Sequence, residues 1–173
     1  KQPSLSRRYA GTTADTNVSF AEGITDDADY YWYSSVVNEE NANKVNGTGD
    51  EVVVTLSSAS TGARAAGGSS AGSAGLEMWV YDRSGFTTVV AGQFAEAATD
   101  AYTQNADTHV LVNSTYGKTE TTDAVEKTWV VGGSWNVEQN ANSYVTVQDG
   151  KILTLVGGSK GANQVGTSYV YID

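Results

Sequence analysis

The 173-residue chain carries 20 acidic and 10 basic residues, a formal net charge of −10, and no cysteine. Disulfides, thiolate chemistry and Cys-based metal sites are thereby excluded, and a phosphate backbone is repelled rather than gathered, which disfavours nucleic-acid partners. Val occurs 21 times against 6 Leu and 3 Ile, and 10 Tyr and 4 Trp add apolar area, a bias that suits a pleated, half-buried surface and predicts an all-β domain.

In chain order, residues 1–16 are polar, hold the only proline at Pro3, and read as a mobile N-terminal arm. The start at Lys1 is what a processed leader would leave. From Asn17 to Ile24 the chain alternates, with Val18 and Phe20 on one side, as in a strand able to add to a neighbour's open edge. Asp26, Asp27 and Asp29 crowd one turn; three hard oxygen donors with no adjacent lysine predict weak calcium binding, against the plainer account of solvated turn aspartates. Tyr30 to Val37 is apolar on both faces, Asn46-Gly47 marks a tight turn, and Glu51 to Leu56 is again a strand with almost no polar side.

Residues 57–75 collapse to Ser, Gly and Ala with one Arg64, the composition of a flexible loop. Leu76 to Asp82 and Phe86 to Ala91 are strands joined by a hairpin connection at Arg83-Ser84-Gly85. Phe94, Ala97, Ala98 and Ala101 recur at helical spacing, making Gln93 to Tyr102 the one candidate helix. Lys127 to Val131, Ile152 to Val156 and Thr167 to Ile172 complete the strands.

A turn-and-strand unit occurs twice, as Gln104-Asn105-Ala106-Asp107 running into Thr108 to Val112 and as Gln139-Asn140-Ala141-Asn142 running into Ser143 to Val147, 35 residues apart. A shorter relative begins at Glu40-Asn41-Ala42-Asn43. Each polar corner is expected to close on its own backbone through the Asx side chain and launch a strand. Asp149-Gly150 is expected at the centre of a two-residue hairpin turn, so that Val147 faces Ile152 and Tyr144 faces Leu155. Roughly ten strands in a single domain over 17–173 then predict a two-sheet sandwich or jelly roll with at most one short helix.

Chemistry is sparse. Gly68-Ser69-Ser70-Ala71-Gly72 matches the hydrolase elbow, but a Gly/Ser/Ala tract generates that pattern by accident, and a true elbow needs a strand before it and a helix after it. The only histidine, His109, reads as a strand residue with one face exposed. Glu77, Glu96 and Glu138 would form a glycosidase pair only if folded within ~5–10 Å of one another. Tyr30, Tyr31, Trp32, Tyr33, Trp79, Tyr81, Trp129 and Trp135 supply either core or a stacking platform for sugar rings. Sequons at Asn17, Asn46 and Asn113 suit a secreted glycoprotein, although Asn, Ser and Thr are abundant enough to give about two such triplets by chance. No cofactor motif is present, and no apolar run approaches the ~18 residues of a membrane span.

Strands such as Val52 to Leu56, Leu76 to Tyr81 and Tyr169 to Ile172 carry large side chains on both faces, where a half-solvated strand should alternate. Neighbouring copies covering those faces would explain this. The expected function is therefore a non-enzymatic structural subunit of an extracellular, cell-surface or virion assembly that polymerises by strand addition through Val18 and Phe20. The alternative is a carbohydrate-binding module, with a hydrolase third.

Overall fold

The computed structural model describes Thr12–Thr13, Val18–Ser19, Glu51–Leu56, Thr61–Gly68 and residues 75–173. Every regular element among them is a strand: β1 (Thr12–Thr13), β2 (Val18–Ser19), β3 (Glu51–Leu56), β4 (Thr61–Gly68), β5 (Glu77–Asp82), β6 (Gly85–Gln93), β7 (Thr103–Gln104), β8 (Thr108–Asn113), β9 (Glu126–Val131), β10 (Glu138–Gln139), β11 (Ser143–Asp149), β12 (Lys151–Val156) and β13 (Ser168–Ile172). Among the described residues the all-β expectation holds. Apart from the small antiparallel pair of β1 with β2, all pairing between these strands is parallel.

The order of strands explains how this comes about. One sheet runs β13-β11-β8-β5-β3, a second runs β12-β9-β6-β4, and β10 pairs β7 in a third. Along the chain the strands visit the sheets in rotation, and each returns to lie directly on its predecessor of one turn earlier. From β3 onward the described residues form a coil of stacked turns, a parallel β-solenoid. Val53, Trp79, His109, Tyr144 and Tyr169 fall in one column, so successive turns take 26, 30, 35 and 25 residues. Two surface excursions, 95–102 and 114–125, account for the longer turns.

The core lies between the two larger sheets. Leu56, Met78, Val80, Val110, Val112, Val145 and Val147 from the first face Ala65, Phe86, Val89 and Val130 from the second. Val80, Val110, Val145 and Val170 fall in one column, so β-branched side chains nest directly on one another there. In β13 the inward-aligned Val170 and Ile172 are exposed, because among the described residues that strand is paired on β11 alone.

Several expectations are corrected. The two large sheets do face each other, but they are parallel and wound turn upon turn rather than built from hairpins as in the expected sandwich or jelly roll. Asp149-Gly150 joins strands of different sheets: Val147 pairs Val112 and Ile172, and Ile152 pairs Lys127. The same holds at Arg83-Ser84, a corner between sheets. Gly150, at φ 134°, turns the chain there where a side chain would be strained. Thr61–Gly68, assigned to the flexible loop 57–75, is β4; its small residues fit because Gly67 lies against Ala91, where an added Cβ would come within 2.1 Å of the Ala91 carbonyl oxygen. Residues 93–102 form no helix: Gln93 ends β6, Phe94 bridges Trp135, and the rest is bends. The arm 1–16 otherwise, the strand expected at 30–37 and the Glu40 corner lie outside the described residues.

Candidate functional site

The twice-occurring corner unit is where the turns lock together. Gln104 pairs Gln139 in register, and Gln139 bridges Gln164 of the next turn. Each glutamine is buried or half-buried, and its Nε2 closes its own corner while reaching elsewhere. Gln104 donates to the Ala106 and Leu76 carbonyls, Gln139 to the Asn142 carbonyl and Thr108 Oγ1, and Gln164 to the Gly166 and Ala141 carbonyls. The Asx residues act between turns instead of closing their own corner: Asp107 Oδ1 accepts the Asn142 N–H at 2.9 Å, and Asn142 Oδ1 accepts the Thr167 N–H at 2.9 Å. The expected Asx closure is thus corrected; in a coil, the nearest unsatisfied amide belongs to the turn above. Hydroxyls complete the lock, with Thr108 Oγ1 donating to the Gly132 carbonyl and Ser143 Oγ to the Gly157 carbonyl.

A second polar cluster sits inside the coil. Lys127, on the inward face of β9, is 1% exposed and its Nζ lies 2.8 Å from Oδ2 of the fully buried Asp82. The ammonium also donates to the carbonyls of Ser84 at 3.0 Å and Phe86 at 2.9 Å. Asp82 Oδ1 accepts from the Ser84 N–H and hydroxyl. In the sequence Lys127 reads only as the start of a strand, and its burial against Asp82 comes from the tertiary structure.

The outer faces carry ladders of rings. On the five-stranded sheet Trp79, His109, Tyr144 and Tyr169 stack in sequence, with centroids 3.6, 4.6 and 4.9 Å apart and planes within 9° of parallel. Beside them runs a groove of about 330 Å³, lined also by Tyr81, Leu111 and Thr146. His109 Nε2 lies 2.8 Å from Glu77 Oε1. On the other side Phe94 stacks on Trp135 at 5.3 Å, with the Arg64 guanidinium 4.2 Å above Phe94 and Lys160 Nζ 4.1 Å above Trp135 and 4.8 Å from Trp129. Cations close both ends of that pair.

These ladders revise the argument from missing polar faces. Parallel in-register strands lie ~4.8 Å apart, close to ring-stacking distance, so like residues on successive turns cover one another's faces without a neighbouring molecule. The same geometry occupies the ring faces that a sugar would need. Of the residues expected in a stacking platform, Trp79 and Tyr81 come together at the groove, Trp129 and Trp135 at the second ladder, and Tyr30, Tyr31, Trp32 and Tyr33 lie outside the described residues.

The remaining candidates are dispersed. Glu77 binds His109, Glu96 pairs with Arg64, and Glu138 accepts from Asn163 Nδ2, each on its own partner. Gly68 ends β4, while Ser69 to Gly72 lie outside the described residues, as do Asp26, Asp27, Asp29, Phe20, Asn17 and Asn46. Val18 is in β2, paired with Thr13. Asn113 is exposed at the end of β8, and its neighbour Ser114 is buried, donating to the Ser84 carbonyl. Among the described residues no group of three or more His, Cys, Asp or Glu side chains is placed to hold a metal ion. Comparison with protein-family models, with curated proteins and with solved structures gives no match. The stacked parallel strands define the fold class of the described residues, a parallel β-solenoid.

Proposed function

We propose that the chain is a non-enzymatic structural subunit of an extracellular, cell-surface or virion assembly, a pilus-like filament or particle, whose contacts extend by strand addition. The observation that carries this reading is the in-register translation of one turn onto the next, seen in the column Trp79, His109, Tyr144, Tyr169. A lattice of parallel ladders repeats the same hydrogen bonds and ring contacts for every turn added, and such quasi-one-dimensional stacking suits a rod. Head-to-tail contacts of this kind propagate unless the rotation closes a ring.

The N-terminal segment 1–24 is the proposed connector, with Val18 and Phe20 as its anchoring residues. Sequon glycosylation at Asn17, Asn46 and Asn113 and weak calcium binding at Asp26, Asp27 and Asp29 are proposed with it.

Light scattering combined with electron microscopy tests the proposal. A mass well above 18.2 kDa together with axial particles supports it, and a concentration-independent monomer that is retained on a polysaccharide column favours a carbohydrate-binding module instead. Deleting residues 1–24, or changing Val18 and Phe20 to Asp, should leave a folded monomer; unchanged assembly excludes the segment as connector.

A further inference from the structure

We propose that His109 is a proton-linked clamp across three turns of the coil, holding β5, β8 and β11 together more tightly as an imidazolium than as a neutral imidazole. Its ring lies between Trp79, at 3.6 Å and 4°, and Tyr144, at 4.6 Å and 5°, while Nε2 lies 2.8 Å from Glu77 Oε1. A cation between two electron-rich faces is attracted by both. The carboxylate adds a charge-assisted hydrogen bond, which the neutral ring makes only as an ordinary one. The His109 side chain is 17% exposed, so water does little to replace either contact.

The surroundings carry the same sign. From β5 the titratable groups facing the ring are Glu77 and Tyr81, and from β11 Tyr144. Asp107, two residues before His109, accepts the Asn142 N–H. No lysine or arginine is among the described residues lining the groove.

The linkage has a definite sign. A proton held more tightly in the folded chain than in the unfolded one adds stability that is fully present below the ordinary histidine range, centred near ~6.5, and is lost as pH rises above it. Acidification toward about pH 5.5 should therefore tighten the ladder, short of the point at which carboxylates begin to protonate.

Because the chain holds one histidine, NMR of the imidazole in the full 173-residue protein reports this group without overlap. The midpoint is expected to lie above that of the same chain in denaturant, and to move down in Glu77→Gln. Thermal unfolding supplies the second readout: the melting temperature should rise between about pH 8 and pH 5.5 in the wild type, and that gain should be absent from His109→Phe, which keeps a ring in the stack but has no proton to bind. A midpoint at or below the denatured value, or an equal acid gain in His109→Phe, overturns the proposal. Should the Phe variant fail to fold, the midpoints of the wild type and Glu77→Gln decide it alone.

Discussion

Of the contacts a carboxylate makes between neighbouring turns of this solenoid, two at the same separation differ in what surrounds them. Lys127 and Asp82 are sealed in the core at 1% and 0% exposure, with the ammonium also donating to the Ser84 and Phe86 carbonyls. His109 and Glu77 meet on the outer face at 17% and 37% exposure, within a stack of rings. At the first, the desolvation of two charges is already a fixed cost of the fold, so losing one partner strands the other. At the second, water and the neighbouring rings share the work. Burial, rather than separation, decides what such a contact is worth, since both lie at 2.8 Å.

The sharpest way to break the comparison is Lys127→Met. It strands Asp82 without its partner in the core and should cost about 3–5 kcal/mol, read by denaturant unfolding. Adding Asp82→Asn to that variant keeps the oxygen that accepts from Ser84 and removes the charge, and should recover much of the loss. A double variant no more stable than Lys127→Met would show that packing, not charge, was lost.

Gly132→Ala probes the close approach of the sheets beside the Thr108 hydroxyl. An added Cβ would come within 2.4 Å of Val145 Cγ2 and 2.5 Å of the Gly157 carbonyl oxygen, so backbone must move. A loss of about 1–3 kcal/mol is expected from such overpacking, with a melting temperature lowered accordingly.

Gln139→Leu tests the corner lock. It removes the acceptor for Ser134 Oγ and the donor to Thr108 Oγ1, both buried, and the donor to the half-buried Asn142 carbonyl. About 1–3 kcal/mol should be lost, and hydrogen exchange of the Asn142 to Val147 amides should quicken. Unchanged exchange would place the lock elsewhere.

The smallest effects belong to the outer face. Glu77→Gln near neutral pH should change stability by no more than about 1 kcal/mol, as partly exposed pairs do. Lys160→Ala should lose roughly 0.5–1 kcal/mol and alter tryptophan fluorescence, because the ammonium covers both Trp135 and Trp129. A large loss from either would erase the distinction between inner and outer contacts.

The repeat at Gln104 and Gln139 was fully legible in the sequence, as were the strand character of Thr108 to Val112 and Ser143 to Val147 and the polar corners before them. What the repeat meant was not. Self-similarity at a period of 20–50 residues is the mark of stacked turns, but two surface excursions stretch the period unevenly from 25 to 35 residues, and the third unit at Gln164-Val165-Gly166 keeps only the glutamine and the strand that follows. Asp149-Gly150 fits a hairpin equally well by local chemistry; the direction of the next strand is set by which sheet it joins.

Composition and local pattern determined that the chain would be β, where most strands from Glu51 onward lie, and that its corners are polar, because these follow from side-chain shape and nearest-neighbour hydrogen bonding. Only the tertiary structure decided that the strands are parallel, that Lys127 points inward to Asp82, and that Trp79, His109, Tyr144 and Tyr169 form one stack. Each of those depends on residues 25 to 45 positions apart meeting in register, and the free energy that selects the register, from nested valines, stacked rings and satisfied corners, exists only once one turn lies on another.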